Sequence, residues 1–393
     1  MIKFASRPNM KYLVGLFISS FIRNILQNIT DMHFTLDFDL IYLLLMFLGE
    51  FLFGLLSYSY QLKYVKQKKL SKNSHFMTIK LITNDKIQIN DNKYKIYFLI
   101  TATAFFDFME YVLFLEFIPS LVDCSYSFEE RLSGILIILD SLFYRFVLNL
   151  PIFKHQFFSI IIISICLIIT IAIEFIFQDI NYFFRYADFV FLIFKFFIII
   201  FFNSLLDLIE KYLFEYDYLN PFKLLMLEGI IGFSFGIVYC IYKNPISSIK
   251  NLYYNNSDNF GYLVLSLFLF MILSGVQNTF RVVTTKIYSL MASTLALYFF
   301  NPIYIISTLI LNEDFVSNKK RNYIYFSINL VLTIIVSFCG LVYNEFIILF
   351  FYGLQHDTYK EISFRASLPY DMSYIYNIND DEEDSNFYEL IKL

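Results

Sequence analysis

The chain reads as an all-α, polytopic membrane protein of about ten transmembrane helices, arranged as two inverted five-helix repeats. Three observations predict this class. Of the 393 residues 58% are hydrophobic and only 16% charged. Apolar runs of about 20 residues, the length a helix needs to cross a bilayer, recur along the chain. Those runs lack period-two alternation and carry Phe, Ile and Leu on every face, which suits helices among lipid and other helices, not barrel strands.

The spans fall at 10–28, 38–58, 96–117, 121–147, 155–178, 186–209, 221–242, 260–280, 287–311 and 322–350. The first retains Arg23 and has no small-residue cleavage site, so it reads as a span and not as a removed signal peptide. Lys3, Arg7 and Lys11 precede it, and Lys63, Lys66, Lys68, Lys69 and Lys72 follow the second. The positive-inside rule makes both places cytosolic, and an even span count makes both termini cytosolic. Lys319, Lys320 and Arg321 run against this scheme, because they precede the last span on the other side. The sequons Asn28-Ile29-Thr30 and Asn255-Asn256-Ser257 fall on the non-cytosolic side as weak glycosylation candidates.

One membrane domain, 1–352, is expected, with a polar cytosolic loop inserted at 61–94 and a cytosolic acidic tail at 353–393. Asp380 to Asp384 in that tail account for much of the net charge of −4. No basic region points to nucleic acid. The four cysteines and four histidines are scattered without metal-ligand spacing, so no metal and no cofactor is expected. No phosphate-cradling loop or nucleophile elbow is present, and the chain does not read as an enzyme.

The second span carries Gly49-Glu50-Phe51-Leu52-Phe53-Gly54 and the seventh Glu228-Gly229-Ile230-Ile231-Gly232-Phe233. A repeat offset by five spans inserts the second copy upside down, as in alternating-access carriers.

Several motifs, in order, resemble the drug/metabolite transporter superfamily, and within it the nucleotide-sugar-transporter-like solute carrier 35 members of group F. Met46-Phe47-Leu48-Gly49-Glu50 is similar to the family's Met-Phe-x-Gly-Glu, and Phe106-Asp107 to a Phe-Asp pair in the third span. Glu210-Lys211-Tyr212-Leu213 followed by Pro221, Glu228, Gly229 and Gly232 resembles Glu-Lys-Phe-Leu and Pro-x6-Glu-Gly-x2-Gly without a gap. Gly340-Leu341-Val342-Tyr343-Asn344-Glu345 resembles Gly-x-x-Tyr-Asn-Glu. In the fourth span Glu130-Arg131-Leu132-Ser133-Gly134 departs from the family's Gln-Met-Leu-Arg-Gly, and Thr284-Thr285-Lys286 with Ser293-Thr294 replaces Ser-Ala-Thr-x-Arg in the ninth. The resemblance implies a secondary transporter of a small organic solute in an internal membrane, Golgi or endolysosomal, with a cavity lined by spans that depart from the pattern here.

Charged side chains at bilayer depth cost about 2.5–3.5 kcal/mol each on insertion scales, so they face the bundle interior or a wet cavity. Asp107 and Glu110 share one face of the third span, and Glu130, Arg131 and Asp140 lie in the fourth. These five are the candidate residues for substrate or proton binding. The bland alternative pairs them off: Glu130 or Asp140 with Arg131 or Arg145, and Asp207 with Lys211. Gly49, Glu50, Glu210, Lys211, Pro221, Glu228, Gly229 and Gly232 form the structural motif set, with Glu50 and Glu228 read as helix-end caps or close-contact residues. The expected partners are membrane lipid and a small-molecule substrate, with protons and a second copy as a homodimer left open. A competing reading is a non-transporting scaffold or adaptor subunit that keeps the carrier fold.

Overall fold

The computed structural model describes residues 2–4, 10–34, 40–68, 93–121, 134–149, 152–177, 186–243, 253–254, 256–287 and 319–343, with a few isolated residues including 294, 345, 347–349, 354 and 358. Nine α-helices lie among the described residues: α1 (Met10–His33), α2 (Leu40–Lys68), α3 (Lys93–Leu121), α4 (Gly134–Phe146), α5 (Lys154–Phe177), α6 (Tyr186–Glu215), α7 (Pro221–Lys243), α8 (Phe260–Ile287) and α9 (Lys319–Tyr343). A two-stranded antiparallel sheet joins β1 (Ile2–Phe4) to β2 (Ile347–Leu349), with Ile2 opposite Leu349 and Phe4 opposite Ile347.

Four helices, α2, α3, α7 and α8, contain stretches long and apolar enough to cross a membrane. Their solvation is inverted relative to a water-soluble protein. Leu56, Ile168, Val238 and Ile241 are each more than 60% exposed, while Glu50, Asp140, Glu210, Lys211 and Glu228 are at most 3% exposed. Apolar atoms outside and charges inside are what a helical bundle in lipid requires, since lipid solvates the former and not the latter. Hydroxyls obey the same rule. Ser19, Thr30, Ser159, Ser164, Thr170, Thr279 and Thr333 each donate to the carbonyl four residues back on their own helix. The chain is an α-helical membrane protein.

Packing is ordered around α2, which lies between α7 and α8; α1 packs on α8, α3 on α6 and α7, α4 on α5 and α6, and α5 on α9. Glycines set the closeness of the α2 contacts. A Cβ on Gly229 would strike the backbone of Phe47 and Phe51, one on Gly54 the backbone of Met226, and one on Gly49 the Met271 carbonyl of α8. Along the α2–α7 seam, Gly54 meets Met226, Phe51 meets Gly229 and Leu44 meets Gly236, so the two helices run antiparallel. Small residues that let backbones touch replace the hydrophobic driving force that is missing inside lipid.

All the described helices keep one common end, marked by β1 and β2. There α1 begins and α9 ends; His155 at the start of α5 lies 3.5 Å from Glu345 beside β2. Tyr216 after α6 donates to the Leu148 carbonyl after α4, Lys95 in the first turn of α3 donates to the Tyr212 hydroxyl, and Asn220 before α7 donates to Gln61 of α2. Lys286 near the end of α8 donates to the Leu219 carbonyl.

Several expected spans are revised. The sixth and eighth do not stop at 209 and 280 but continue to Glu215 and Ile287, because the charges taken as interfacial are neutralised inside the bundle, as described below. The second continues to Lys68, into the loop expected at 61–94. The last span ends at Tyr343, not 350, and the chain turns at Glu345 (φ 58°) into β2, a local departure from the all-α expectation. Of the fourth span, 121–147, helix is described only over Gly134–Phe146. The ninth, 287–311, lies outside the described residues apart from Ile287 and Thr294, as does most of the 61–94 loop. Within the tail begun at 353, Leu354 is buried against Val342, Ile347 and Leu349.

Candidate functional site: a buried column of carboxyls

The α6 sequence Asn203-Ser204-Leu205-Leu206-Asp207-Leu208-Ile209-Glu210-Lys211 places polar residues at intervals of three and four, which makes one polar stripe on an otherwise apolar helix. On α8, Gln277, Asn278, Arg281, Thr284 and Thr285 form a second stripe. The two stripes meet through an ion-pair triad. Arg281 Nη2 lies 2.8 Å from Glu210 Oε1, and Nη1 lies 3.7 Å from Asp207 Oδ1, with Glu210 fully buried and Asp207 nearly so. A guanidinium suits this position because its planar fork serves two carboxylates at once and sheds its hydration more readily than an ammonium.

From the triad the column extends away from the strand end along α6. Ser204 donates to Asp140 of α4 (2.6 Å), with Thr294 beside the same carboxyl, and Asn203 donates to Glu110 of α3 (2.7 Å). Asn203 lies about 18 Å from the C-terminal end of α6 at 1.5 Å per residue, so the polar groups reach well into the bundle. Asp107, one turn from Glu110 on α3, faces the positive charge of Arg281. Two carboxyls complete the group from the glycine-lined helices. Glu50 of α2 accepts a short hydrogen bond from Asn278, and Glu228 of α7 sits beside the Thr103 hydroxyl of α3.

Toward the strand end the column is closed by lysines. Lys211 Nζ lies 2.8 Å from Glu215 and donates to the Thr285 and Lys286 carbonyls in the last turn of α8. A cation there satisfies orphan carbonyls at the negative end of the helix dipole.

Of the five candidate binding residues, Asp107, Glu110 and Asp140 are drawn into this column, while Glu130 and Arg131 lie outside the described residues. Asp140 takes the Ser204 hydroxyl as a partner, and Arg131, one of the arginines expected to pair with it, lies outside the described residues. Asp207 pairs with Arg281 in place of the expected Lys211, which is drawn instead to Glu215 and the end of α8. Glu50 and Glu228 cap no helix end. They sit in the interiors of α2 and α7, beside the glycines that bring those helices into contact. Pro221 opens α7, where its missing N–H costs nothing. Asn28 lies inside α1, and Asn255 is outside the described residues.

Arg281, Asn278, Asn203 and Ser204 are absent from the candidates read from sequence. The usable signal was Gln277-Asn278 followed by Arg281, polar groups at i, i+1 and i+4 inside a run otherwise apolar enough to span.

Chemically, the column sets six carboxyls (Glu50, Asp107, Glu110, Asp207, Glu210, Glu228) around the guanidinium of Arg281, which makes ion pairs with two of them, and a seventh, Asp140, beside Asp207. Glu50, Glu110 and Asp140 are held by neutral donors. Such a group can take up positive charge. Among the described residues no three acidic, His or Cys groups converge as metal ligands.

No family model matches the chain, and no curated protein matches it.

Proposed function

We propose that the chain is a secondary carrier, of the drug/metabolite transporter type, that moves a small organic solute by rocking two inverted five-helix halves around the buried column. The observation that carries this reading is the symmetry of the helix contacts. If α6, α7 and α8 are counterparts of α1, α2 and α3, and α9 is the tenth crossing and counterpart of α5, then the α1–α8 contact mirrors α6–α3. By the same exchange α2–α8 mirrors α7–α3, and the α2–α7 and α5–α9 pairs map onto themselves. The α7–α8 and α6–α8 contacts have no counterpart of similar extent between α2 and α3 or between α1 and α3, so the exchange is approximate. Parity is compatible with the proposed tenth crossing: α8 and α9 both end at the strand end, as two helices separated by one further span would. That crossing corresponds to the span expected at 287–311.

Basic residues gather at the strand end, where Lys63, Lys95, Arg145, Lys154, Lys211 and Lys286 close the helices, and this supports a cytosolic strand end. Lys243 and Lys319 to Arg321 at the far end remain exceptions. The motif resemblance favours a Golgi or endolysosomal membrane. With tags at both ends, protease protection in sealed microsomes is expected to find both termini digested from the cytosolic side. Protection of one terminus alone would remove the even count.

The transport reading is tested by reconstitution into liposomes with a panel of nucleotide sugars, amino acids, amines and small peptides. Saturable uptake of one solute, abolished by Asp107→Asn while the variant still inserts and purifies, is the expected result. Absence of uptake for every solute leaves the scaffold reading in its place, a reading that the paired Arg281–Glu210–Asp207 triad also suits.

A further inference from the structure

Resting on the carrier reading, we infer that the cargo is a protonated amine, taken up by its ammonium group between Glu50, Glu228 and Asp107, and not an anionic nucleotide conjugate. A phosphate-bearing solute needs unengaged cations. Among the described residues of the column, Arg281 is held by Glu210 and Asp207, and Lys211 by Glu215 and carbonyls in the last turn of α8. Carboxyls, by contrast, are in excess, and they come from both proposed halves: Glu50 on α2 and Asp107 on α3, against Glu228 on α7.

A second, independent observation points to a donor-bearing ligand. Gln277 is 5% exposed and shares a face of α8 with Arg281, four residues on; its Oε1 accepts no hydrogen bond. Glu50 Oε2 and Glu228 Oε1 are likewise buried without a partner. All three are acceptors. Buried polar atoms in folded proteins are nearly always satisfied, so these three open acceptors, with the unpartnered Ser274 and Thr284 hydroxyls of α8 that can accept as well as donate, are where a donor-bearing group can bind. An ammonium brings N–H donors and positive charge together, which matches open acceptors in a column whose carboxyls outnumber its cations. Among the described residues no three acidic groups stand close enough together to ligate a metal ion, which favours an organic cation over a bare divalent ion.

The test uses the full chain in detergent or nanodiscs with three probes: benzylammonium, its quaternary analogue benzyltrimethylammonium, and UDP-glucose. Benzylammonium is expected to raise the melting temperature saturably and to bind more tightly than the quaternary analogue, which lacks N–H donors. Glu228→Gln and Glu50→Gln, close in shape to the parent side chains, are each expected to weaken it by about ten-fold or more, as loss of one partner of a buried charge pair does. Equal binding by both variants, equal binding of the quaternary analogue, or stabilisation by UDP-glucose alone overturns the inference, as does stabilisation by neither ammonium. Saturable uptake of UDP-glucose without ammonium binding would overturn it and leave the carrier reading standing, whereas the carrier reading itself falls only with absence of all uptake.

Discussion

Arg281→Met is expected to lower the stability of the folded protein by about 3–5 kcal/mol, the cost of leaving buried charge without its partner. Glu210 is fully buried and Asp207 4% exposed, and both lose their counter-charge when the guanidinium goes. Since whole domains are stable by only about 5–15 kcal/mol, the variant should melt at much lower temperature or fail to accumulate as a monodisperse species. Fluorescence-detected size-exclusion after a heating series reads this directly. Arg281→Lys should recover part of the loss, because an ammonium keeps the charge but cannot fork between two carboxylates. The double variant Arg281→Met with Glu210→Gln should be more stable than Arg281→Met alone, since it removes the stranded charge as well as its partner. A double variant no better than the single would show that the arginine acts through packing and not through the triad.

The second large effect is expected at the glycine contacts of α2. In Gly229→Ala the added methyl falls onto the backbone of Phe47 and Phe51, and in Gly49→Ala onto the Met271 carbonyl. Neither obstacle is a flexible side-chain tip, so the helices must separate, at a cost of about 1–3 kcal/mol for Ala and more for Val or Leu. Gly236→Ala meets the Leu44 side chain, which can rotate, and should be milder. Gly261→Ala has nothing within 4 Å, and should be neutral or gain up to about 1 kcal/mol from helix propensity. The graded order Gly229 and Gly49, then Gly236, then Gly261, read as melting temperatures, separates close packing from a general intolerance of substitution in these helices.

Helix existence was legible because a bilayer demands a length that few other structures need, and α2, α3, α7 and α8 carry it openly. Helix ends were not. Lys211 and Arg281 look interfacial in a one-dimensional reading, and only the folded chain shows Lys211 sealing the end of α8 and Arg281 neutralised by a neighbour 71 positions earlier. Asp107, Glu110 and Asp140 could be singled out, since a buried carboxyl betrays itself by its cost alone. Their partners could not, because Asn203 and Ser204 are ordinary polar residues whose role depends on which helix they meet. The Lys211–Asp207 pairing failed for a local reason: Lys211 has a carboxylate four residues away on either side, and Arg281 claims the earlier one. The glycine motifs were visible as words, and their meaning as a backbone-to-backbone contact became clear only once α2 and α7 were placed side by side.

The antiparallel seam of α2 and α7 has a mechanical consequence. Interlocked side chains act as detents: to slide one helix past another, each knob must climb out of its hole. At Gly54 and Gly229 the seam is backbone against backbone and offers no such knob, while Phe47 seated on Gly232 and Leu44 on Gly236 supply two detents. If the proposed carrier rocks at this joint, α2 and α7 move from one seating of those two side chains to the next, with Glu50 carried on one helix and Glu228 on the other.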